Sequence, residues 1–517
     1  MTMIQRALCG ALAALSLPAA AQLHHAFIGF NDLPASIHEE LNLAGALHGR
    51  VIPSINAVSV VAPESVLRAY AADPRVRGVR LQRRLQWHLH ASRTQINSVG
   101  IEETESHTLA DGSSVERGGV DGSGITVAII DSGIFQPHPD FGLPGASRVI
   151  AGANFEGTLV GRETGVLPAS VWEQIATASG PLALQDEVGH GTHVAGIVGG
   201  DGSAASGLDN QGVARGVNLV ALKIASAGNG VVEDIGFEAN AVAAIDYMIR
   251  NREALGNVRV ANNSWGLLAN EAQGLLGPTD FDPVKEVTLA AIEAGIVMVF
   301  SAGNDGPEPD TVRPIPNGLP EVISVAAACK ADNGSCPEGK ITGFSSRGDA
   351  VDVTAPGDQI LATASPSVLA AIGQALEGSY FGDSPQDELQ NRAAYIRLSG
   401  TSMSAPHVAG VVALMLQANP ELTPAQVEQI LKDTAVDMVA EDDPELVAGW
   451  DAASGFGMVD TRAAVLAASR FGLDTAPSAR QFSSVGGGAL AWPALLLMLL
   501  GFAGRQRGAA TMGFTRR

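Results

Sequence analysis

The chain has 517 residues, 46% of them hydrophobic, enough to bury a sizeable core and to divide into more than one domain. A formal net charge of -22 excludes nucleic acid or an anionic membrane as the main partner, because phosphate recognition needs clustered Lys and Arg. Only 5% of residues are aromatic while glycine reaches 60, a balance that suits a turn-rich α/β protein and not a disordered one.

At the N-terminus Arg6 precedes an apolar run ending at Leu17, and Pro18 and small residues lead to Ala21; this pattern predicts a signal peptide over residues 1–21. Cys9 would leave with it. Cys329 and Cys336 then remain, separated by the polar "KADNGS", and export to an oxidising compartment predicts a small loop closed by their disulfide. Residues 22–90 alternate as strand, helix and strand, the helix running from Glu64 to Ala72 between Pro63 and Asp73-Pro74, and predict a small α+β domain. Residues 91–124 are polar and read as a linker or N-terminal arm.

From residue 125 to 470 short apolar strands alternate with longer helices, the pattern of a parallel sheet. The predicted strands are "ITVAII", "NLVALKI", "VRVANNS", "IVMVFSA" and "EVISVAA", with helices at His193–Val198, Asp234–Arg252, Pro283–Ala294 and Ser402–Gln417. Another helix begins at "TPAQVEQIL", where Thr423, Pro424 and Gln426 spell a capping box. Residues 471–488 have linker composition, residues 489–507 hold an apolar run with Pro493, and residues 508–517 form a basic tail. The apolar run, Ala489 to Ala503, is shorter than the roughly 20 residues of an ordinary transmembrane helix.

Three motifs carry reactive groups at predicted strand or helix ends: "AIIDSGI" with Asp131, "GHGTHVAG" with His190 and His193, and "GTSMSAPHVAG" with Ser402, Ser404 and His407. A serine hydroxyl attacks poorly until an imidazole takes its proton, and the imidazole needs a carboxylate to hold its tautomer. All three partners are present. Spacing alone leaves open which of His190 and His193 is the base, because residues three apart share a helix face.

The Asp, His, Ser order and the three surrounding motifs resemble the subtilisin-like serine proteases over about Ile125 to Ala467. The resemblance implies a three-layer α/β fold with a mainly parallel central sheet, preceded by the small α+β propeptide domain. It assigns Asp131 to orienting the histidine, His190 to general base and acid, and Ser402 to nucleophile, with His193 and His407 structural. Asn304 in "VFSAGNDG" matches the side-chain donor of the oxyanion hole. Ser264, Trp265 and Gly266 of "NNSWG" match the strand that pairs with a substrate backbone, and Ser301, Ala302 and Gly303 the facing wall of the pocket.

The implied partners are protein or peptide substrates and the chain's own propeptide, removed by self-cleavage between about His88 and Gly119. No cofactor is implied for catalysis. Many relatives bind structural calcium in a longer loop after the helix bearing the base; here "GLDNQGVARG" is shortened, with Asp140 and Asn210 as candidate oxygen ligands. Insertions over residues 156–185 and 363–394 carry no readable role. The tail "GGGALAWPALLLMLLGFAGRQR" resembles a glycine-glycine sorting signal of Gram-negative bacteria, cut by a sorting protease near Gly486 to Gly488 to release the enzyme into the periplasm, onto the cell surface or to the outside; a permanent membrane anchor is the alternative. A metallohydrolase built on Asp131, His190 and His193 lacks "HExxH", and an α/β-hydrolase would need glycine at position 404. A non-catalytic binding module on this fold would be expected to lack a member of the triad.

Overall fold

Alternating apolar residues between Leu23 and Leu81 build a small domain in the computed structural model: β1 (Leu23–Phe30), α1 (Ile37–Ala44), β2 (His48–Ile52), β3 (Ala57–Pro63), α2 (Glu64–Ala71) and β4 (Val76–Leu81). The structure describes residues 23–82, 85–87, 96, 98, 101, 105–108, 114–117, 119–143, 145–156, 165–204, 210–225, 237–267, 280–330, 336–367 and 394–471. The predicted signal peptide, the C-terminal linker beyond Phe471, the apolar run and the basic tail lie outside them. β1 pairs antiparallel with β3 and β4, and β2 with β3, giving a βαββαβ arrangement with one face under the helices. The sequence reading misses α1, which buries only Ile37 and Leu41 and so lacks a long apolar stripe.

β5 (Leu85–Trp87) ends the small domain, and the larger one follows through the hairpin β6 (Glu105–Thr108) and β7 (Ser114–Arg117), then β8 (Thr126–Asp131), β9 (Val149–Asn154), β10 (Gly165–Leu167), α3 (Ala169–Ala178), α4 (Gly180–Ala183) and α5 (His190–Gly199). Next come β11 (Asn218–Lys223), α6 (Phe237–Arg250), β12 (Val258–Asn263), β13 (Trp265–Leu267), α7 (Pro283–Glu293), β14 (Val297–Ser301), β15 (Ile323–Ala328) and β16 (Val353–Pro356). The chain then adds the hairpin β17 (Ile360–Thr363) and β18 (Tyr395–Leu398), and ends on α8 (Thr401–Ala418), α9 (Pro424–Thr434) and α10 (Thr461–Arg470). Seven strands form one parallel sheet in the order β16-β15-β14-β12-β8-β11-β9.

Both faces of that sheet are buried, which is why its central strands read as continuous apolar runs. On β8, Val127 and Ile129 pack with α5 and α8, while Ala128 and Ile130 pack with α6 and α7. The result is the three-layer α/β architecture. Such a sheet gathers functional groups at the carboxyl ends of its strands, and Asp131, Ser264 and Ser301 all stand there.

The two domains meet through paired backbone as well as side chains. β5 runs antiparallel to β13, placing Trp87 opposite Trp265 and Gln86 opposite Gly266. β10, from the insertion at 156–185, joins β2 of the small domain. Buried Arg80 reaches Glu238 at 2.6 Å and Asp282 at 3.3 Å, so the charges taken out of water are paired. Cys329 and Cys336 are joined by a disulfide with Cα atoms 5.3 Å apart. Among the described residues no helix is long and apolar enough to cross a membrane.

Candidate active site

Asp131 is the last residue of β8 and is fully buried. Its Oδ1 accepts from the Ser132 backbone N–H at 2.7 Å, and His190 Nδ1 lies 2.8 Å from Oδ1 and 3.0 Å from Oδ2. A carboxylate at Nδ1 fixes the proton there and leaves Nε2 as the basic nitrogen. His190 opens α5, after Gly189 at φ 80, a left-handed conformation that favours glycine. Gly191 has a different reason: a Cβ there would stand 2.1 Å from the Gly133 carbonyl and 3.0 Å from Asp131 Oδ1, so only a bare backbone fits beside the acid.

Behind this pair stands Asp186, which no sequence motif singles out. Its Oδ1 accepts from Ser132 Oγ at 2.8 Å and Gly189 N at 2.7 Å, and its Oδ2 from Thr192 N at 2.8 Å and Thr192 Oγ1 at 2.6 Å. Burial raises its carboxyl pKa, and those hydrogen bonds oppose the rise. Asp186 therefore ties the N-terminus of α5 to the residue after Asp131. An Asp followed six positions later by Thr has no distinct sequence signature.

His193, one turn further along α5, has a different environment. Its Nε2 lies 3.1 Å from the carbonyls of both Ile360 and Ile396, so Nε2 carries the proton, while its buried Nδ1 has no hydrogen-bond partner. Burial pushes its pKa down to about 3, with His190 and His407 adding to the effect. His407 Nδ1 meets the Met403 carbonyl at 2.8 Å within α8.

Ser402 is the second residue of α8, where the helix N-terminus favours negative charge. Its hydroxyl donates to the Ser264 carbonyl at 2.7 Å, and the Ser264 hydroxyl returns a bond to the Ser402 carbonyl at 2.7 Å. Ser264, predicted as a substrate contact, thus also braces the turn that carries Ser402. Asn304 Oδ1 accepts from Thr401 N and Thr401 Oγ1, both at 3.1 Å, which orients the amide and leaves its N–H₂ as the outward donor.

The two predicted walls are joined by a residue that sequence reasoning missed: Asn317 Nδ2 donates to the Trp265 carbonyl at 2.9 Å and to the Ser301 carbonyl at 2.7 Å. In "PIPNGLP" it looks like an ordinary turn residue. Gly266, Ala302 and Gly303 lie on the same walls, and the Gly303 N–H donates to the Thr401 hydroxyl at 3.1 Å.

The candidate calcium ligand Asp140 is already satisfied by protein donors. The Tyr395 hydroxyl stands 2.8 and 3.0 Å from its two oxygens, and Ala204 N donates to Oδ1 at 2.9 Å. Donor hydrogens aimed at a carboxylate are the opposite of a cation shell. Asn210, the second candidate, is buried beside Gly202. Among the described residues no group of three or more His, Cys, Asp or Glu is placed to hold a metal.

Residues 122–457 match the subtilase family. This chain belongs to the subtilase family. It is 30% identical over 332 residues to the serine protease AprX of Bacillus subtilis, covering 63% of this chain and 64% of that protein. Fervidolysin of Fervidobacterium pennivorans is 33% identical over 351 residues, 66% of this chain and 41% of its own length. Subtilisin E of Bacillus subtilis is 30% identical over 383 residues, 74% of this chain and 76% of that relative. This subtilase therefore spans 64% and 41% of AprX and fervidolysin, less than two thirds of either. The crystal structure of fervidolysin, described as a keratinolytic enzyme related to subtilisin, superposes with a TM-score of 0.56 at 26% identity, over 86% of this chain and 61% of that one.

Proposed function

We propose that this subtilase is a serine endopeptidase, exported and made as a self-processing zymogen whose N-terminal domain is its propeptide. The observation that carries this is the contact of His190 Nδ1 with both oxygens of buried Asp131 at the carboxyl end of β8, beside the carboxyl end of β12, where Ser264 is hydrogen-bonded to Ser402 at the start of α8. Ser402 attacks the scissile carbonyl and gives its proton to His190 Nε2. Asp131 stabilises the imidazolium, and His190 then protonates the leaving amine. Water repeats the sequence on the acyl-enzyme. No cofactor enters these steps.

An extended substrate adds as a strand to β13, where β5 now lies, so the cleft is occupied by the chain itself. The Ser402 hydroxyl, held here by the Ser264 carbonyl, turns to His190 when substrate replaces that strand. Oxyanion charge meets the Ser402 backbone N–H at the helix start and the Asn304 amide. Asn304→Leu, which keeps size and removes the donor, should lower kcat by about 10²–10³ with KM little changed. Steady-state kinetics on a peptide amide measures this; an unchanged kcat removes Asn304 from the hole.

The whole reading is tested by a serine-directed phosphonylating reagent, which should modify Ser402 in the processed enzyme, located by peptide mass spectrometry. An actively hydrolysing sample with Ser402 unmodified overturns it. Export by residues 1–21, and retention in the inner membrane by residues 489–507 until a sorting protease cuts near Gly486 to Gly488, complete the proposal and predict mature termini that the same mass spectra read.

A further inference from the structure

The insertion over residues 156–185 meets the small domain along an otherwise free sheet edge. β10 pairs in parallel with β2, Val166 opposite Gly49 and Leu167 opposite Arg50, so a strand of the larger domain completes a five-stranded sheet with order β10-β2-β3-β1-β4. The Asn42 side chain brackets this strand: its Oδ1 accepts from Val166 N at 2.6 Å and its Nδ2 donates to the Val166 carbonyl at 3.3 Å. The Val166 side chain is buried in the small domain's core, beside that domain's own residues. One turn into α3, buried Trp172 donates its indole N–H to the Val51 carbonyl at 2.7 Å. Arg50, next along β2, reaches Asn240 Oδ1 at 3.1 Å and the Phe155 carbonyl at 2.6 Å.

We infer that residues 165–178 are a docking element that holds the chain's own N-terminal domain by strand addition, independently of the occupied cleft. The inference deepens the zymogen reading and rests on it. Main-chain bonding along an open edge supplies affinity, and Asn42, Val166 and Trp172 supply the match to this particular domain. Because β5 in the cleft and β10 on the far edge are separate grips on one domain, a cut between the domains leaves the second grip in place. The cleft strand then rebinds at high effective concentration, and inhibition outlasts cleavage of the chain.

The test uses the full chain carrying Ser402→Ala, so that hydrolysis plays no part. A recognition sequence for a site-specific protease is inserted between Trp87 and Ile96, after the cleft strand and before the first residue buried in the larger domain's core, the chain is cut there, and loss of the N-terminal fragment on dilution is followed by size-exclusion chromatography. The parent should retain its fragment. Asn42→Ala removes both bonds from an exposed position, and Val166→Pro deletes the N–H; each should release the fragment about tenfold faster. Melting of the uncut chains checks that both variants fold, and Asn42→Ala keeps the test decisive should Val166→Pro disturb the fold. Release of the Asn42→Ala fragment at the parent's rate overturns the inference. Failure of the protease reading registers elsewhere, as active enzyme with unlabelled Ser402.

Discussion

Ser402→Ala should reduce peptide hydrolysis by about a millionfold, the loss expected when the nucleophile of such a triad is removed, and should leave the chain as one uncut polypeptide. Fold and stability should change little. The substitution deletes one hydroxyl whose partner, the Ser264 carbonyl, lies beside the cleft, and the reciprocal bond from Ser264 Oγ to the Ser402 carbonyl survives. N-terminal sequencing and active-site kinetics on the purified chain measure both halves. A variant that still matured in isolation would remove Ser402 from the mechanism, whereas one cut only on mixing with active enzyme would show that processing works between molecules. Residual hydrolysis well above that of water is expected even without the nucleophile, because Asn304 and the helix start still favour an oxyanion.

What was legible in the sequence follows from how each part is stabilised. β8, β11, β12 and β14 are buried on both faces, so they appear as apolar runs, and their observed limits fall within a residue or so of those predicted. The capping box at Thr423 is local chemistry: Thr423 N donates to Gln426 Oε1 at 2.9 Å and Gln426 N to Thr423 Oγ1 at 3.3 Å. Edge strands β9 and β16 escaped prediction. "VIAGAN" has a glycine at its centre and a half-exposed face, and "VTAP" is too short and ends in proline. Asp131, His190 and Ser402 were legible because each sits in a motif at an element end. Asp186 and Asn317 were not, since their bonds join segments whose proximity exists only after folding. The same holds for β10, which belongs by chain to one domain and by hydrogen bonding to the other.

His190→Ala and His193→Ala should fail in opposite ways. His190→Ala removes the imidazole that touches Asp131 and should stop turnover by about a millionfold while the protein stays folded. His193→Ala should instead weaken the fold by roughly 2–4 kcal/mol, since it opens a cavity at a fully buried site and strips two carbonyls of their shared donor. The pH dependence separates the two further. With a folded pKa of about 3 and an ordinary value near 6.5 when unfolded, His193 is neutral in both states above about pH 6.5 and contributes no slope there. Below that, the unfolded chain binds a proton that the native chain refuses, because protonation would place an N–H on the partnerless buried Nδ1. Stability is therefore lost as pH falls, by about 1.4 kcal/mol per unit. Glutamine does not titrate, so a His193→Gln chain lacks this loss. In the Ser402→Ala background, which prevents self-digestion, the stability of the chain with His193 relative to its His193→Gln variant should fall by roughly 2.5 kcal/mol between pH 7 and 4.5, read from urea unfolding. A constant difference would mean that His193 titrates freely, and loss of turnover on its removal with His190→Ala still active would exchange the two roles.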